Sequence, residues 1–257
     1  MYKNIITEDV LKNWFSSTTL ADGQLQSVIT HNNFQQIKPT FSQISTHLFR
    51  NENPYQFYKR VELSTHMFYP AHIGNKTLNK LKEFLGHEPT LGIEVGSFIG
   101  SSALVLGNLL KQNNGCLICI DTWCGDINMW LMDIFDNTMN KSDGNPKIFD
   151  YFMTKMIDND LTNTVIPLRV SSVVAARMLK VLKYEIDFVY VDSAHECGET
   201  FMELSLYHDI LKIGGVLFGD DYYGFPAVKH DVDIFCKIYN YTLTFSGDGD
   251  TWLIKKT

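Results

Sequence analysis

From Thr77 onward the chain alternates between two hydrophobic periods. Short continuous apolar runs are followed by longer segments whose apolar positions recur every three or four residues, which predicts strands alternating with helices. Asn75 to Leu85 is an amphipathic helix on this reading. Leu91 to Val95 is a strand that breaks into small residues, and Ile99, Ala103, Leu106 and Leu110 then mark one face of a helix. Further strands are expected at Gly115–Asp121, Val165–Leu168, Ile186–Val191 and Gly214–Phe218, with helices at Pro146–Asp158, Val173–Leu182, Cys197–Lys212 and Phe225–Lys237 between and after them. The chain closes on Tyr241–Phe245 and Thr251–Ile254, two strands joined through Gly247-Asp-Gly249, which must pair antiparallel.

Two stretches depart from the pattern. Residues 1–75 lack the alternation and read as a helical extension or cap, with short helical pieces at Val10–Phe15 and Phe34–Phe49 and an aromatic-rich segment from Tyr55 to Tyr69. Those aromatics either pack the cap onto the domain or a second subunit, or wall a substrate pocket. Asp126 to Asn145, rich in Met, Asp and Asn, stands where a short connection is expected, so it is a candidate lid or acceptor-site wall.

The turn after the first strand is Glu94-Val-Gly-Ser-Phe-Ile-Gly100. Gly96 and Gly100 allow a sharp turn and close approach of a ligand, because glycine tolerates positive φ. Glu94 sits inside the strand, where a carboxylate is costly unless it accepts hydrogen bonds. A dinucleotide fingerprint would need glycine at Phe98, and a P-loop would need a Gly-Lys-Ser/Thr that is missing. The ligand this leaves is nucleoside-like, without a bound pyrophosphate, although such a turn also serves plain helix–strand packing. About twenty residues on, Asp121 ends the second strand, the place from which one carboxylate can accept from two ribose hydroxyls. It could instead cap the next helix, and Ser171 or Ser172 caps the helix after the third strand.

In an open parallel sheet the ligand lies beyond the carboxyl ends of the strands. Asp192 ends the fourth strand and Asp220-Asp221 the fifth, so three acids from adjacent strand ends can converge. Their repulsion is relieved by protonation or by a hard divalent cation, for which magnesium is suited; the alternative is that Asp220-Asp221 cap the following helix. His195 follows three residues after Asp192, and an imidazole with an ordinary pKa near ~6.5 can take a hydroxyl proton at neutral pH. It is the candidate base, with His230 on the next helix as the second; either could be no more than a polar loop or surface residue.

The order of these parts resembles the class I S-adenosylmethionine-dependent methyltransferases, whose first motif is an acid followed by Gly-x-Gly-x-Gly or a looser variant; here Phe98 replaces the middle glycine. The resemblance runs from about Leu81 to the end. It implies a Rossmann-like α/β fold: a mostly parallel seven-stranded sheet with an antiparallel C-terminal strand, helices on both faces, and residues 1–75 outside it as the helical N-terminal extension to the 76–257 domain. It implies S-adenosylmethionine as cofactor, bound by Glu94, Gly96, Ser97, Gly100, Ser101, Asp121, Thr122, Trp123, Ser171, Ser172 and Asp192, with Ser171-Ser172 near the adenine. Asp192-Ser-Ala-His195 and Gly219-Asp-Asp221 look like the metal segments of catechol, sugar and macrolide O-methyltransferases, so Asp192, Asp220 and Asp221 become the expected ligands of a divalent metal, Mg2+. In catechol O-methyltransferase a lysine stands at the position of His195. The expected activity is metal-assisted methyl transfer to a hydroxyl of a small molecule, a sugar or glycosylated metabolite; the Asp220-Asp-Tyr-Tyr-Gly224 segment resembles the sugar-modifying enzymes more than the catechol enzyme. The rival readings are a metal-independent N- or C-methyltransferase and a non-catalytic nucleoside-binding or assembly subunit.

Composition narrows the partners. A chain of 257 residues, 45% hydrophobic, can bury one large α/β core. A net charge of -7 with no basic stripe argues against a nucleic-acid partner. No run is long and apolar enough to cross a bilayer, and the first residues lack a signal-peptide core, so a cytoplasmic protein is expected. Five cysteines without a second pair or histidine cluster beside Cys116 and Cys119 read as thiols in a reducing compartment. The expected partners are the acceptor and a second copy of the chain, through the N-terminal extension.

Overall fold

The computed structural model describes residues 38–257, apart from 51, 64–68, 142–143 and 194. The expected helix at Val10–Phe15 and the start of the one expected from Phe34 lie outside the described residues. Within them, a helix at Phe41–Phe49 (α1) opens on Thr40, whose side chain forms a capping box with Gln43. The amphipathic segment before the first strand forms α2, Asn75–Leu85, with Leu81 and Leu85 buried. The alternation then runs β1 (Leu91–Val95), α3 (Ser101–Gln112), β2 (Cys116–Asp121), three short helical turns at Ile127–Leu131 (α4), Asp133–Phe135 and Asp136–Met139 (α5), α6 (Ile148–Asp158), β3 (Val165–Arg169), α7 (Ser172–Leu182), β4 (Ile186–Val191), α8 (Glu199–Ile210), β5 (Leu211–Gly219), α9 (Pro226–Tyr239), β6 (Thr244–Phe245) and β7 (Trp252–Lys255).

The sheet has seven strands in the order β3-β2-β1-β4-β5-β7-β6. Pairings among the first five are parallel, whereas β7 runs antiparallel to both β5 and β6. The order reverses beside β1, which places the carboxyl ends of β1, β2 and β4 around one crevice. Side chains alternate across the sheet. Leu91, Ile93, Val95, Ile118 and Val189 pack with residues of α7, α8 and α9 in one core, while Leu117, Cys119, Phe188 and Phe218 pack with α2, α3 and α6 in the other. Helices therefore cover both faces. Gly92 is required inside β1, because a Cβ there would lie 2.1 Å from the Phe188 ring.

Element boundaries shift where tertiary pairing overrides local pattern. The helix expected to run to Lys212 ends at Ile210, since Leu211 already pairs with Ile186 and β5 is nine residues long with a register irregularity. β6 shrinks to Thr244–Phe245, the two residues that find partners on β7. The helix expected from Pro146 begins at Ile148, and Pro226 occupies the first turn of α9, where its missing N–H costs nothing.

Candidate active site

The turn after β1 has the left-handed backbone that its glycines suggest, with φ of 86° at Gly96 and 83° at Gly100. Phe98, at the position of the missing middle glycine, is also left-handed at φ 45°. Such a conformation is uncommon for an aromatic residue, and it is held by two bonds. The Phe98 N–H donates to Asp121 Oδ2 at 2.8 Å, and the Phe98 carbonyl accepts from Trp123 Nε1 at 2.6 Å. The Trp123 N–H donates to the other oxygen of Asp121 at 2.6 Å. Asp121 thus clamps the turn to the end of β2. Trp123 is fully buried between Phe149 and Phe152 and lines neither cavity; it supports the turn from below.

Glu94 is also fully buried, under the turn, accepting from the Ser97 hydroxyl and the Cys119 thiol. Burial pushes its pKa up, against the opposing effect of its hydroxyl and thiol donors. Gly100 packs on Phe152 and Met156, away from the ligand space.

Two cavities meet at this turn. The first, about 220 Å³, lies over the ends of β1 and β2 and is lined by Asp121, Thr122, Ser171, Ser172 and Glu203. The second, about 200 Å³, is lined by Tyr69, His72, Ser97, Ser101, His195 and Asp221. Gly96, Phe98, Met129, Asp192 and Ser193 border both. Of the aromatic-rich segment, Tyr55 is buried and donates to the Val165 carbonyl, while Tyr69 stands edge-on to Phe98 and lines the second cavity. The segment therefore both packs the extension down and walls a pocket. The Asp126–Asn145 stretch contributes Asp126 and Met129 to the cavity walls and leaves Ile127, Leu131 and Ile134 exposed. Its first helix is capped by Asp126, which accepts from the Met129 N–H at 2.7 Å.

At the second cavity, Asp192, His195 and Asp221 each bring one donor atom to within 4.8 Å of the others. His195 Nε2 lies 2.8 Å from Asp221 Oδ2, and its ring stacks on Phe225 at 4.1 Å between centroids. His195 Nδ1 is buried and has no hydrogen-bond partner among the described residues. Burial alone would lower the imidazole pKa, but the Asp221 hydrogen bond and the surrounding carboxylates raise it. Asp192 is pushed up to about 7 by burial and by the charges of Asp221 and Asp220, against a hydrogen bond from the Tyr190 hydroxyl. Asp220 is buried beside them, but its carboxylate engages His72 Nδ1. The converging set thus contains Asp192, Asp221 and an imidazole, with Asp220 turned to the N-terminal segment. His230 lines neither cavity and contacts Cys197 and Asp231 instead.

Sequence reasoning did not single out Glu203, His72 or Met129. Glu203 is mid-helix on α8 and bonded to Ser193, so nothing in its local pattern separates it from a surface acid. His72 and Met129 lie in segments without periodic pattern, and only the folded chain brings them to the turn.

The strand order, the reversed β7 and the glycine turn clamped by an acid at the end of β2 define a class I methyltransferase. A family model described as a methyltransferase domain matches residues 93–222, and the chain belongs to that family. Among solved structures, the O-methyltransferase NovP is similar with a TM-score of 0.52 at 14% identity, covering 98% of this chain and 100% of that one. The SAH-bound methyltransferase PaMTH1 of Podospora anserina is similar with a TM-score of 0.50 at 13% identity, covering 94% and 99%. These are likenesses of fold. No curated protein sequence matches the chain. Among the described residues no helix is long and apolar enough to cross a membrane.

Proposed function

We propose that the protein transfers the methyl group of S-adenosylmethionine to a hydroxyl of a small molecule, a sugar or glycosylated metabolite, with a divalent cation at the acceptor end. The observation that carries this reading is the convergence of Asp192, His195 and Asp221 at the second cavity, with Asp192 bordering the first as well. The first cavity suits a nucleoside: Asp121 and Thr122 line it from the end of β2, and Ser171-Ser172 from the far wall. The second, next to the imidazole, suits the acceptor.

The residues present fit a cation. A carboxylate pushed up to about 7 by burial and by like charges marks a site with more negative charge than its surroundings accept, and carboxylate oxygens are the donors a hard cation takes. Asp192 and Asp221 would hold it, with Asp220 adjacent; a bound divalent cation supplies a lowered pKa for an acceptor hydroxyl. His195 acts as base. With Nε2–H donating to Asp221, Nδ1, which makes no hydrogen bond and lies 3.7 Å from Asp126 Oδ2, is the proton acceptor, and stacking on Phe225 fixes the ring. Asp221 then stabilises the imidazolium that forms. Tyr69, Phe98 and Met129 exclude water and orient the acceptor, so that in-line attack becomes a matter of positioning. An alcohol is a poor nucleophile until ionised, so a base beside carboxylates able to hold a cation favours oxygen.

Single-turnover transfer from labelled S-adenosylmethionine to a panel of sugars, phenols and amines tests this, with Mg2+ titrated calorimetrically into wild type and Asp192→Ala. Methylated sugar hydroxyls and magnesium binding lost in the variant are expected. Transfer to amines alone, or full activity in chelator, overturns the reading.

A further inference from the structure

Away from both cavities, Cys197, His230 and Asp231 bring one ligand atom each to within 4.8 Å of one another. Cys197 lies in the turn entering α8, exposed and free of any disulfide. His230 and Asp231 are consecutive on α9, and His230 Nδ1 is 4.0 Å from Cys197 Sγ and 3.1 Å from Asp231 Oδ1. Asp231 is buried, and its Oδ2 accepts from the Gly198 N–H at 2.7 Å and the Phe201 N–H at 3.2 Å. The backbone of α8 thereby fixes the carboxylate and leaves Oδ1 facing the imidazole and the thiol.

Two plainer readings account for less. A thiol–imidazole–carboxylate relay needs sulfur and carboxylate on opposite ring nitrogens, as in a catalytic triad. Here both neighbours approach Nδ1. Capping of α8 explains Oδ2 of Asp231, but not an exposed thiol and a ring gathered round the other oxygen. Three different donors converging on one point is the arrangement of ligands around an ion.

We infer that Cys197, His230 and Asp231 form a second cation site, distinct from the carboxylate cluster and taking zinc or a similar borderline divalent ion, with water as the fourth ligand. A sulfur, nitrogen and oxygen set suits zinc and is wrong for magnesium or calcium. Bond lengths of about 2.3 Å to sulfur and 2.0 Å to nitrogen put neighbouring ligands in a tetrahedron roughly 3–4 Å apart. The pairs at 3.1 and 4.0 Å are close to that spacing, and Cys197 is exposed and free to adjust. Binding releases the thiol proton to solvent, leaves the neutral imidazole with its N–H on Nε2, and ties the turn after His195 to α9.

Cobalt(II) is the probe. The carboxylate cluster holds no cysteine, so a thiolate-to-cobalt charge-transfer band reports the second site alone, in otherwise wild-type protein. The band is expected at one equivalent of cobalt, kept in Cys124→Ser, lost in Cys197→Ser, and shifted to at least about tenfold higher cobalt in His230→Ala. Zinc should displace the cobalt and raise the melting temperature of wild type further than that of Cys197→Ser. Absence of the band in wild type, or its persistence in Cys197→Ser, overturns the site. His230→Ala gives a second reading should the serine variant fold poorly.

Discussion

The Cα of Gly96 rests against the main-chain carbonyl of Asp192: a Cβ built at residue 96 would lie 1.9 Å from that oxygen. The end of β1 and the end of β4 therefore approach as closely as backbone allows, and the glycine turn is packed directly onto the segment carrying Asp192 and His195. Gly96→Ala must both strain a φ of 86° and push these strand ends apart. Affinity for S-adenosylhomocysteine, read by calorimetry, is expected to fall more than about tenfold with a loss of roughly 1–3 kcal/mol in stability. Wild-type affinity in a folded Ala variant would contradict this packing role.

Asp121 holds the left-handed Phe98 through one oxygen and Trp123 through the other. Asp121→Ala removes both acceptors and leaves two amide donors without partners at the cavity wall. Donor affinity should drop about 10- to 100-fold, the value of one or two hydrogen bonds to a charged group. Equilibrium dialysis with labelled donor measures it.

His195 lines the second cavity and not the first. His195→Ala and His195→Gln should therefore lower the single-turnover rate about 10²- to 10⁴-fold while donor affinity stays within about twofold. Glutamine can keep the contact to Asp221 but cannot take a proton, so a glutamine variant near wild-type rate would remove His195 from the base role.

Asp187, fully buried at the start of β4, accepts from the Thr90 N–H at 2.6 Å, the Leu91 N–H at 2.9 Å and the Lys212 ammonium, with His87 Nε2 2.9 Å away. Burial pushes its pKa up, but Lys212, the two amides and His87 outweigh it and hold it down to about 2. A depressed carboxylate contributes stability that is present above its unfolded pKa, near 3.8, and is lost as pH falls through about 2. Asp187→Asn should cost about 3 kcal/mol at pH 7, because Lys212 loses its charged partner. In urea melts the gap between wild type and variant should close between about pH 4 and pH 2. A gap constant across that window would show that Asp187 acts by shape alone.

Much of the fold is legible in the chain because its signals are local. The apolar run Leu91–Val95, the face at Ile99, Ala103, Leu106 and Leu110, and the cap at Ser171 each depend on residues within one or two turns, and each lies where the pattern puts it. Strand and helix ends at Leu211 and Thr244 are not legible, since they are set by which residues find a partner across the sheet.

The sequence by itself determined the alternating α/β order, the glycine turn at Gly96 and Gly100, the acid at the end of β2 and the acids at the ends of β4 and β5. These follow from periodicity and from glycine's freedom at positive φ. Tertiary structure decided which groups meet. It turned Asp220 toward His72, joined His195 to Asp192 and Asp221, carried His230 away to Cys197, and drew Glu203, Tyr69 and Met129 into the cavity walls. Those contacts join residues distant along the chain, and their geometry depends on strand order and helix placement, which no local pattern encodes.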